Sequence, residues 1–330
     1  MTNMMPIAKV IAWAYKLLVA HGYSIKSKNP EPVLKTPWSH IVRFSTSHGD
    51  VYLKHTPAAI ALEAAVIDVL RTEFHASVPE VIASNSELNA FLMKDAGQSL
   101  RSILYQQFDG ELFCKAIDQF TSLQLATAAN LDVFFDIGVP EWRLEQLPNL
   151  YSELLLQRDL LIEDGLLEAE IAELTTLLPQ VAMLCEQLLE YPIKQTMVQP
   201  DFNDNNTLIE PISGKITIID LGEIMISHPF FSLVNCLEQL TSRHAITHTD
   251  ARYVLLKDAC LKNFMGVASK QSLLDALDLA ETLWPLYWAL ANYRLQLACD
   301  KTELLAFKMH GRIKDSLNKW MQRCHALTIP

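Results

Sequence analysis

Residues 198–210 read "VQPDFNDNNTLIE" and run on into "PISGKITIIDLGE" at 211–223. Apolar, β-branched stretches flank Pro211-Ile-Ser-Gly214, a pattern that predicts a short hairpin. A turn centred near Ser213 sets Asn206 opposite Asp220 across the ladder. Opposed residues of an antiparallel pair share a face, with Cβ atoms roughly 4.5 to 5.5 Å apart, so two oxygen donors placed there can share one cation. Magnesium suits them, since it prefers hard oxygen ligands at about 2.0 to 2.1 Å and takes one or two side chains plus substrate phosphates. Asp201 lies just upstream, placed to accept a proton from a hydroxyl attacking a metal-bound phosphate. Asp and Asn also furnish plain polar turns, and the stretch taken alone admits both readings.

The bulk numbers narrow the field. A chain of 330 residues, half hydrophobic and 20% charged, has ample capacity to bury a core. Its formal charge of -11 argues against coating nucleic acid, which requires clustered Lys and Arg to neutralise phosphates. The six cysteines, at 114, 185, 236, 260, 299 and 324, show no C-x-x-C and no zinc-like spacing. They read as buried thiols of a reducing compartment. The apolar N-terminus "MTNMMPIAKVIAWAYKLLVAHG" is interrupted by Lys9 and Lys16, which predicts an amphipathic helix rather than a leader. Nothing approaches the roughly 18 uninterrupted apolar residues of a membrane span. The expectation is a cytoplasmic protein with neither nucleic acid nor membrane as partner.

Along the chain, "EPVLKTPWSHIVRFSTSHGDVYLKH" at 31–55 is rich in β-branched and aromatic residues around the turn signal His48-Gly49-Asp50, which predicts a hairpin in a small antiparallel sheet. "AAIALEAAVIDVLRTEF" then has helical spacing, and "VPEVIASNSELNAFLMKD" returns to strands. From Gly97 onward Leu-rich helices dominate, with one strand-like island at 207–220. The reading is α+β, with a small lobe over residues 1–95 and a large helical lobe over 96–330 that carries the island.

The island also resembles the catalytic stretch of the aminoglycoside phosphotransferase and choline kinase group, small-molecule kinases with a two-lobed, protein-kinase-like fold. That family's H-G-D-x-H-x-x-N followed by I-D-[WFL]-[GE] is matched by Gln199-Pro-Asp201-Phe-Asn-Asp-Asn-Asn206 and Ile219-Asp-Leu-Gly-Glu223. The resemblance implies Asp201 as catalytic base, with Asn206 and Asp220 as magnesium ligands. It extends to "VYLKHTP", whose Lys54 would contact nucleotide phosphates, and to "ALEAAVIDVL", whose Glu63 would pair with that Lys. "FLMKDAGQSL" resembles the family hinge, in which Met93, Lys94 and Ala96 would offer backbone groups to adenine. What the resemblance implies is an ATP- and Mg2+-dependent phosphotransferase acting on a hydroxyl of a small molecule such as an amino sugar or amino alcohol. Acidic residues including Asp132, Asp136, Glu141 and Glu223 would attract a cationic acceptor.

Three departures qualify the match. Gln199 replaces the His before the catalytic Asp, and Ser232 stands where an Asp usually braces the loop, a hydroxyl being the weaker brace. The phosphate-covering stretch "LKTPWSHI" has no glycine, so cover is expected from backbone around Trp38 with the Ser39 hydroxyl. The loss of the bracing Asp and the glycine-free cover also motivate an alternative, a nucleotide-binding pseudokinase with a regulatory or scaffold role. "RHAITH" at 243–248 reads as a loop with ordinary surface histidines, and "LWPLYWALANYRL" at 283–295 as helix packing.

Overall fold

The computed structural model describes residues 4–27 and 29–328. The chain forms two compact units. One takes in the chain up to Gln98 together with Leu208–Glu223 and Arg294–Met309; the other takes in Ser99–Thr207, Ile224–Tyr293 and the chain from His310 onward.

In the first unit, β1 (Glu31–Lys35), β2 (His40–Thr46), β3 (Gly49–His55), β4 (Val81–Asn85) and β5 (Ala90–Lys94) make an antiparallel sheet in the order β1-β2-β3-β5-β4. The β2–β3 hairpin closes where the sequence signals it, with Gly49 at φ 96°. Period-two alternation sends Val42, Phe44, Val51, Leu53 and Leu92 to one face, where they pack with Val10, Ala14 and Leu18 of helix α1 (Ile7–Ala20). Burying each of the Val, Leu and Phe side chains stabilises by about 1.5–3 kcal/mol. Helix α1 stops at Gly22, whose φ of 81° lets the Tyr23 N–H reach back to the Leu18 carbonyl at 2.9 Å. Lys54, one residue out of phase with Leu53, belongs to the opposite face. Helix α2 (Glu63–Thr72) buries Val66, Ile67 and Leu70 and carries Glu63 in its first turn.

Residues 208–223 join this unit through Ser77, which accepts the Ile218 N–H on its carbonyl at 3.1 Å and donates its hydroxyl to the Ile216 carbonyl at 2.6 Å. The island forms neighbouring strands, Thr207–Ile209 and Ile216–Ile218. Its turn closes with the Glu210 N–H on the Lys215 carbonyl at 2.9 Å. This corrects the expected ladder: Asn206 lies in a 3₁₀ turn (Asp204–Asn206) ahead of the first strand, and Asp220 lies beyond the second with φ 62°. Neither is a strand residue, because the hairpin pairs only three residues on each side. Gly97 packs so closely on this segment that a Cβ would stand 2.1 Å from the Ile209 carbonyl oxygen. Glycine is therefore required there.

Residues 294–309 complete the unit. Leu295, Ala298, Leu304 and Met309 form a small core with Ile60, and Trp38 packs against it with its ring edge-on to Phe307 at 5.2 Å.

The second unit is mainly helical. Helix α3 (Leu100–Gln106) is capped by Ser99, and α4 (Gly110–Thr127) by Asp109. A two-stranded sheet, Thr196–Val198 with Met225–Ser227, delivers the chain to the Asp201 loop. Helix α4 anchors it: the Gln124 amide donates to the carbonyls of Met197 and Pro229 at 3.2 and 3.1 Å, and Thr127 bonds Thr196 at 2.7 Å. Phe202 stacks on Phe120 with centroids 3.7 Å apart. The aromatic run at 283–295 is helix packing, with Tyr287 stacked on Phe231 at 4.1 Å. Of the six cysteines, all free, Cys185, Cys236, Cys260 and Cys324 are buried, while Cys114 and Cys299 are half-buried. Among the described residues no helix is long and apolar enough to cross a membrane.

His228 is fully buried just after the second short strand, and burial pushes its imidazole down to about 3. An unfolded chain takes up this proton near pH 6.5 and the native protein does not, so the native state loses stability as pH falls from 6.5 toward 3. The slope is about 1.4 kcal/mol per pH unit, or about 2 kcal/mol lost by pH 5. Denaturant midpoints across pH 5–7.5 are expected to show this acid dependence, and His228→Gln to flatten it by that amount. An unchanged slope in the variant would place the proton uptake elsewhere.

Candidate active site

The expected site residues fall into two groups of side chains, one in each unit. In the first unit the Lys54 ammonium lies 2.5 Å from a Glu63 carboxylate oxygen and 2.5 Å from Asp220 Oδ1. The structure thus brings together the Lys–Glu pair that the sequence anticipates and adds Asp220 to it. Lys54 and Glu63 are almost fully buried, whereas the Asp220 side chain remains 45% exposed. Burial alone would push the lysine down, but Asp220 and then Glu63 outweigh it, so its pKa stands above the ordinary lysine value. Burial, with Asp220 adding to it, holds Glu63 above the ordinary carboxylate value, although Lys54 and the Leu221 N–H, which donates to Glu63 at 3.2 Å, pull the other way. Gly222 keeps this contact close, since a Cβ there would come within 3.3 Å of the Glu63 carboxylate. The left-handed φ of Asp220 is one that Asp tolerates better than most residues.

In the second unit the Asp201 loop is built from side-chain amides. Asn203 Nδ2 donates to the Asp201 carbonyl at 2.8 Å and to Oδ1 at 2.9 Å. Asn206 Nδ2 donates to the same carbonyl at 2.8 Å and to Oδ2 at 3.1 Å. Each carboxylate oxygen of this exposed Asp therefore accepts an amide N–H, which fixes the plane of the group. With its nitrogen so engaged, the Asn206 amide turns its oxygen away from the Asp201 carboxylate. Ser232 Oγ accepts the Gln199 N–H at 3.0 Å, so the hydroxyl does brace this loop. Asn235 adds a bond to the Phe202 carbonyl at 3.1 Å.

Several expected contributors sit differently. The stretch around Trp38 is a tight turn in which the Thr36 N–H reaches the Ser39 carbonyl and the Ser39 N–H reaches Thr36 Oγ1, both at 2.9 Å. Ser39 is buried and its hydroxyl has no partner among the described residues, so contact with a phosphate would require the turn to open. Met93 and Lys94 lie within β5, not in a connecting segment. The Lys94 and Asp95 N–H groups are already given to the carbonyls of Glu80 and Asp50, at 3.0 and 3.1 Å, and the Lys94 ammonium pairs with Glu80. Glu141 pairs with Arg143 at 3.1 Å, which reduces its pull on a cationic ligand.

The sequence reading also missed two residues. His244 is not a surface histidine: with 5% of its side chain exposed, its Nε2 lies 2.7 Å from Asp204 Oδ2. Arg101 lies 2.7 Å from Asp204 Oδ1, and Asp204 itself is 1% exposed. A buried carboxylate demands such partners, but their distance along the chain hides them.

The antiparallel sheet of the N-terminal region, the helical remainder and this loop define a kinase-like phosphotransferase fold. Solved structures with that fold include a macrolide 2'-phosphotransferase type I, with 13% identity, a TM-score of 0.58, and coverage of 94% of this chain and 98% of that one. The ethanolamine kinase of Plasmodium vivax gives 13% identity and a TM-score of 0.58 over 97% and 88%. The ternary complex of streptomycin, ATP and APH(2'')-IIa gives 15% and 0.56 over 98% and 99%. A search among curated proteins finds no match. The model of the phosphotransferase enzyme family matches residues 34–255, about two thirds of the chain, and the protein belongs to that family.

Proposed function

We propose that this protein is a small-molecule kinase that transfers the terminal phosphoryl group of ATP, with Mg2+, to an acceptor hydroxyl. The observation that carries the reading is the Asp201 carboxylate, exposed yet held on both oxygens by side-chain amides. A carboxylate so oriented accepts the proton of an attacking hydroxyl as the oxygen–phosphorus bond forms. Lys54, kept protonated by Glu63 and Asp220, offers a fixed positive charge to nucleotide phosphates. Ala96, beyond the end of β5, is the residue of that segment left to meet a base. ATP is the nucleotide in the ternary complex of the similar APH(2'')-IIa.

The residues fit magnesium. Taken one unit at a time, Asp220 would offer a charged, half-exposed carboxylate oxygen in the first and Asn206 a neutral amide oxygen in the second, both hard donors. A cation held by one or two side chains takes its remaining ligands from water and phosphate, which is magnesium's habit. When bound, the ion supplies charge neutralisation at the transferred phosphoryl group.

The family's acceptors and the acidic Asp132 and Asp136 favour an amino alcohol or amino sugar. The test is a coupled assay of ATP consumption with ethanolamine, choline and a panel of amino sugars. Transfer to at least one is expected, with the rate falling to background on chelation by EDTA and returning on addition of magnesium. A rate unaffected by EDTA would overturn the metal assignment. The buried Ser39 turn favours one second reading, a pseudokinase that binds nucleotide without transfer. A thermal shift with ATP but no transfer to any acceptor would select it.

A further inference from the structure

Asp204 is a nearly fully buried carboxylate two residues before Asn206, and it needs partners on both oxygens. Arg101, in the first turn of α3, supplies one side: its Nε donates to Asp204 Oδ1 at 2.9 Å. The Nη2 of the same guanidinium lies 2.7 Å from Asp204 Oδ1 and reaches on to Asn203 Oδ1 at 3.0 Å. His244, the last residue of the helix Phe230–His244, covers Asp204 Oδ2 at 2.7 Å, its ring held by Tyr105 and Phe108 at centroid distances of 5.2 and 5.7 Å.

The bonds that end on Asn203 have a directional consequence. Its Oδ1 accepts both Arg101 Nη2 and the Asn205 N–H, the latter at 2.8 Å. An amide oxygen engaged by two donors turns its NH2 to the opposite side, and that NH2 is the group on Asp201 Oδ1. Reversing the amide would set NH2 against a guanidinium and oxygen against a carboxylate, two repulsive contacts. The planar fork of Arg101 makes both bonds at once, which a lysine ammonium cannot do with the same fixed geometry.

We propose that Arg101, Asp204 and His244 are positioning residues that set the Asn203 amide and, through it, the plane of the Asp201 carboxylate for attack by the acceptor hydroxyl. The inference rests on reading Asp201 as the base. A fold-only role would leave the bonds of Asn203 to Asp201 unused; here the chain of bonds ends on the carboxylate itself.

The test compares wild type, Arg101→Met, Arg101→Lys, His244→Ala, His244→Gln and Asp201→Ala. Turnover of magnesium ATP is followed with ethanolamine or streptomycin, and with water as acceptor where neither is used. Expected are a fall in kcat of about 10²-fold for Arg101→Met, the scale of a small misplacement at a reacting group, with KM for ATP within about twofold. Arg101→Lys falls between Arg101→Met and wild type. His244→Gln, which can still donate an N–H, regains part of the rate lost in His244→Ala. Independently of activity, the Asn203 side-chain amide resonances, assigned with Asn203→Ser, should move to free-amide positions in Arg101→Met. Resonances that stay in place, or a wild-type kcat retained in folded Arg101→Met, overturn the inference. A wild-type rate no higher than that of Asp201→Ala overturns instead the reading beneath it.

Discussion

Replacing Asp201 by Ala is expected to lower phosphoryl transfer by about 10²- to 10⁴-fold, the range a positioned general base contributes. The side chain is exposed and its removal opens no cavity in the core, so folding should survive: Phe202, stacked on Phe120 and fully buried, anchors the loop independently. KM for the nucleotide should change little, because the loss falls on a group that acts on the acceptor hydroxyl. Equal falls in kcat and kcat/KM for ATP are the signature of an interaction made in the transition state. Asp201→Asn sharpens the test. It keeps the shape but turns one carboxylate oxygen into a donor that faces the NH2 of Asn203 or Asn206, so it should be no more active than Asp201→Ala. Steady-state kinetics with magnesium ATP, alongside thermal melting to establish folding, reads both variants. A loss below about tenfold for either would remove Asp201 from the role of base.

Much of this site was legible because its residues are close in sequence or follow a strict period. The alternation in residues 31–55 gives the sheet and places Lys54 out of phase with the core-facing Leu53, and the spacing from Asp201 to Asn206 is that of a compact loop. The expected ladder pairing of Asn206 with Asp220 failed for a local reason. Hydrogen bonding of Asn203 to the Asn205 N–H winds 204–206 into a 3₁₀ turn, and the hairpin ends before either residue. Asp220 is instead placed by tertiary contacts, through Ser77 and Lys54. Arg101 and His244 were beyond reach for a different reason. Asp204 looks like any polar loop residue until its burial is known, and its partners lie 103 and 40 residues away. His244 was further masked by the Thr- and Asp-rich residues after it, where Ala245 takes φ 53° and ends the helix one residue past the histidine. The hinge-like segment illustrates the converse: the residue types matched, but the N–H groups of Lys94 and Asp95 had already been spent on pairing with Glu80 and Asp50 carbonyls.

Lys54→Met should be the most damaging substitution for the fold of the first unit. The native ammonium is shared by two carboxylates, one nearly buried and one half-exposed. Methionine fills much of the same volume, so the loss is electrostatic and not one of packing. It leaves the Glu63 charge in a low-dielectric site with only the Leu221 N–H beside it. Breaking a buried pair by removing one partner costs about 3–5 kcal/mol, because the desolvated survivor has nothing to repay its lost hydration. Asp220 adds to the strain by facing Glu63 without the cation between them. Adding Glu63→Gln to Lys54→Met should recover a substantial part of the loss, since a neutral amide can still accept from Leu221. The pH dependence has a definite sign. Burial and Asp220 both raise Glu63, and without Lys54 nothing opposes them beyond one backbone N–H. A carboxyl whose folded pKa lies above its unfolded value binds its proton more tightly when folded, so the variant regains stability as pH falls through that folded value toward the unfolded one. The gap between Lys54→Met and wild type should therefore narrow from pH 8 to pH 5 in denaturant titrations, and should not narrow in the double variant. Nucleotide affinity should fall in both, because neither retains the ammonium. A single variant within about 0.5 kcal/mol of wild type, the scale of an ordinary surface change, would show that the Lys54 charge does not hold Glu63 in place.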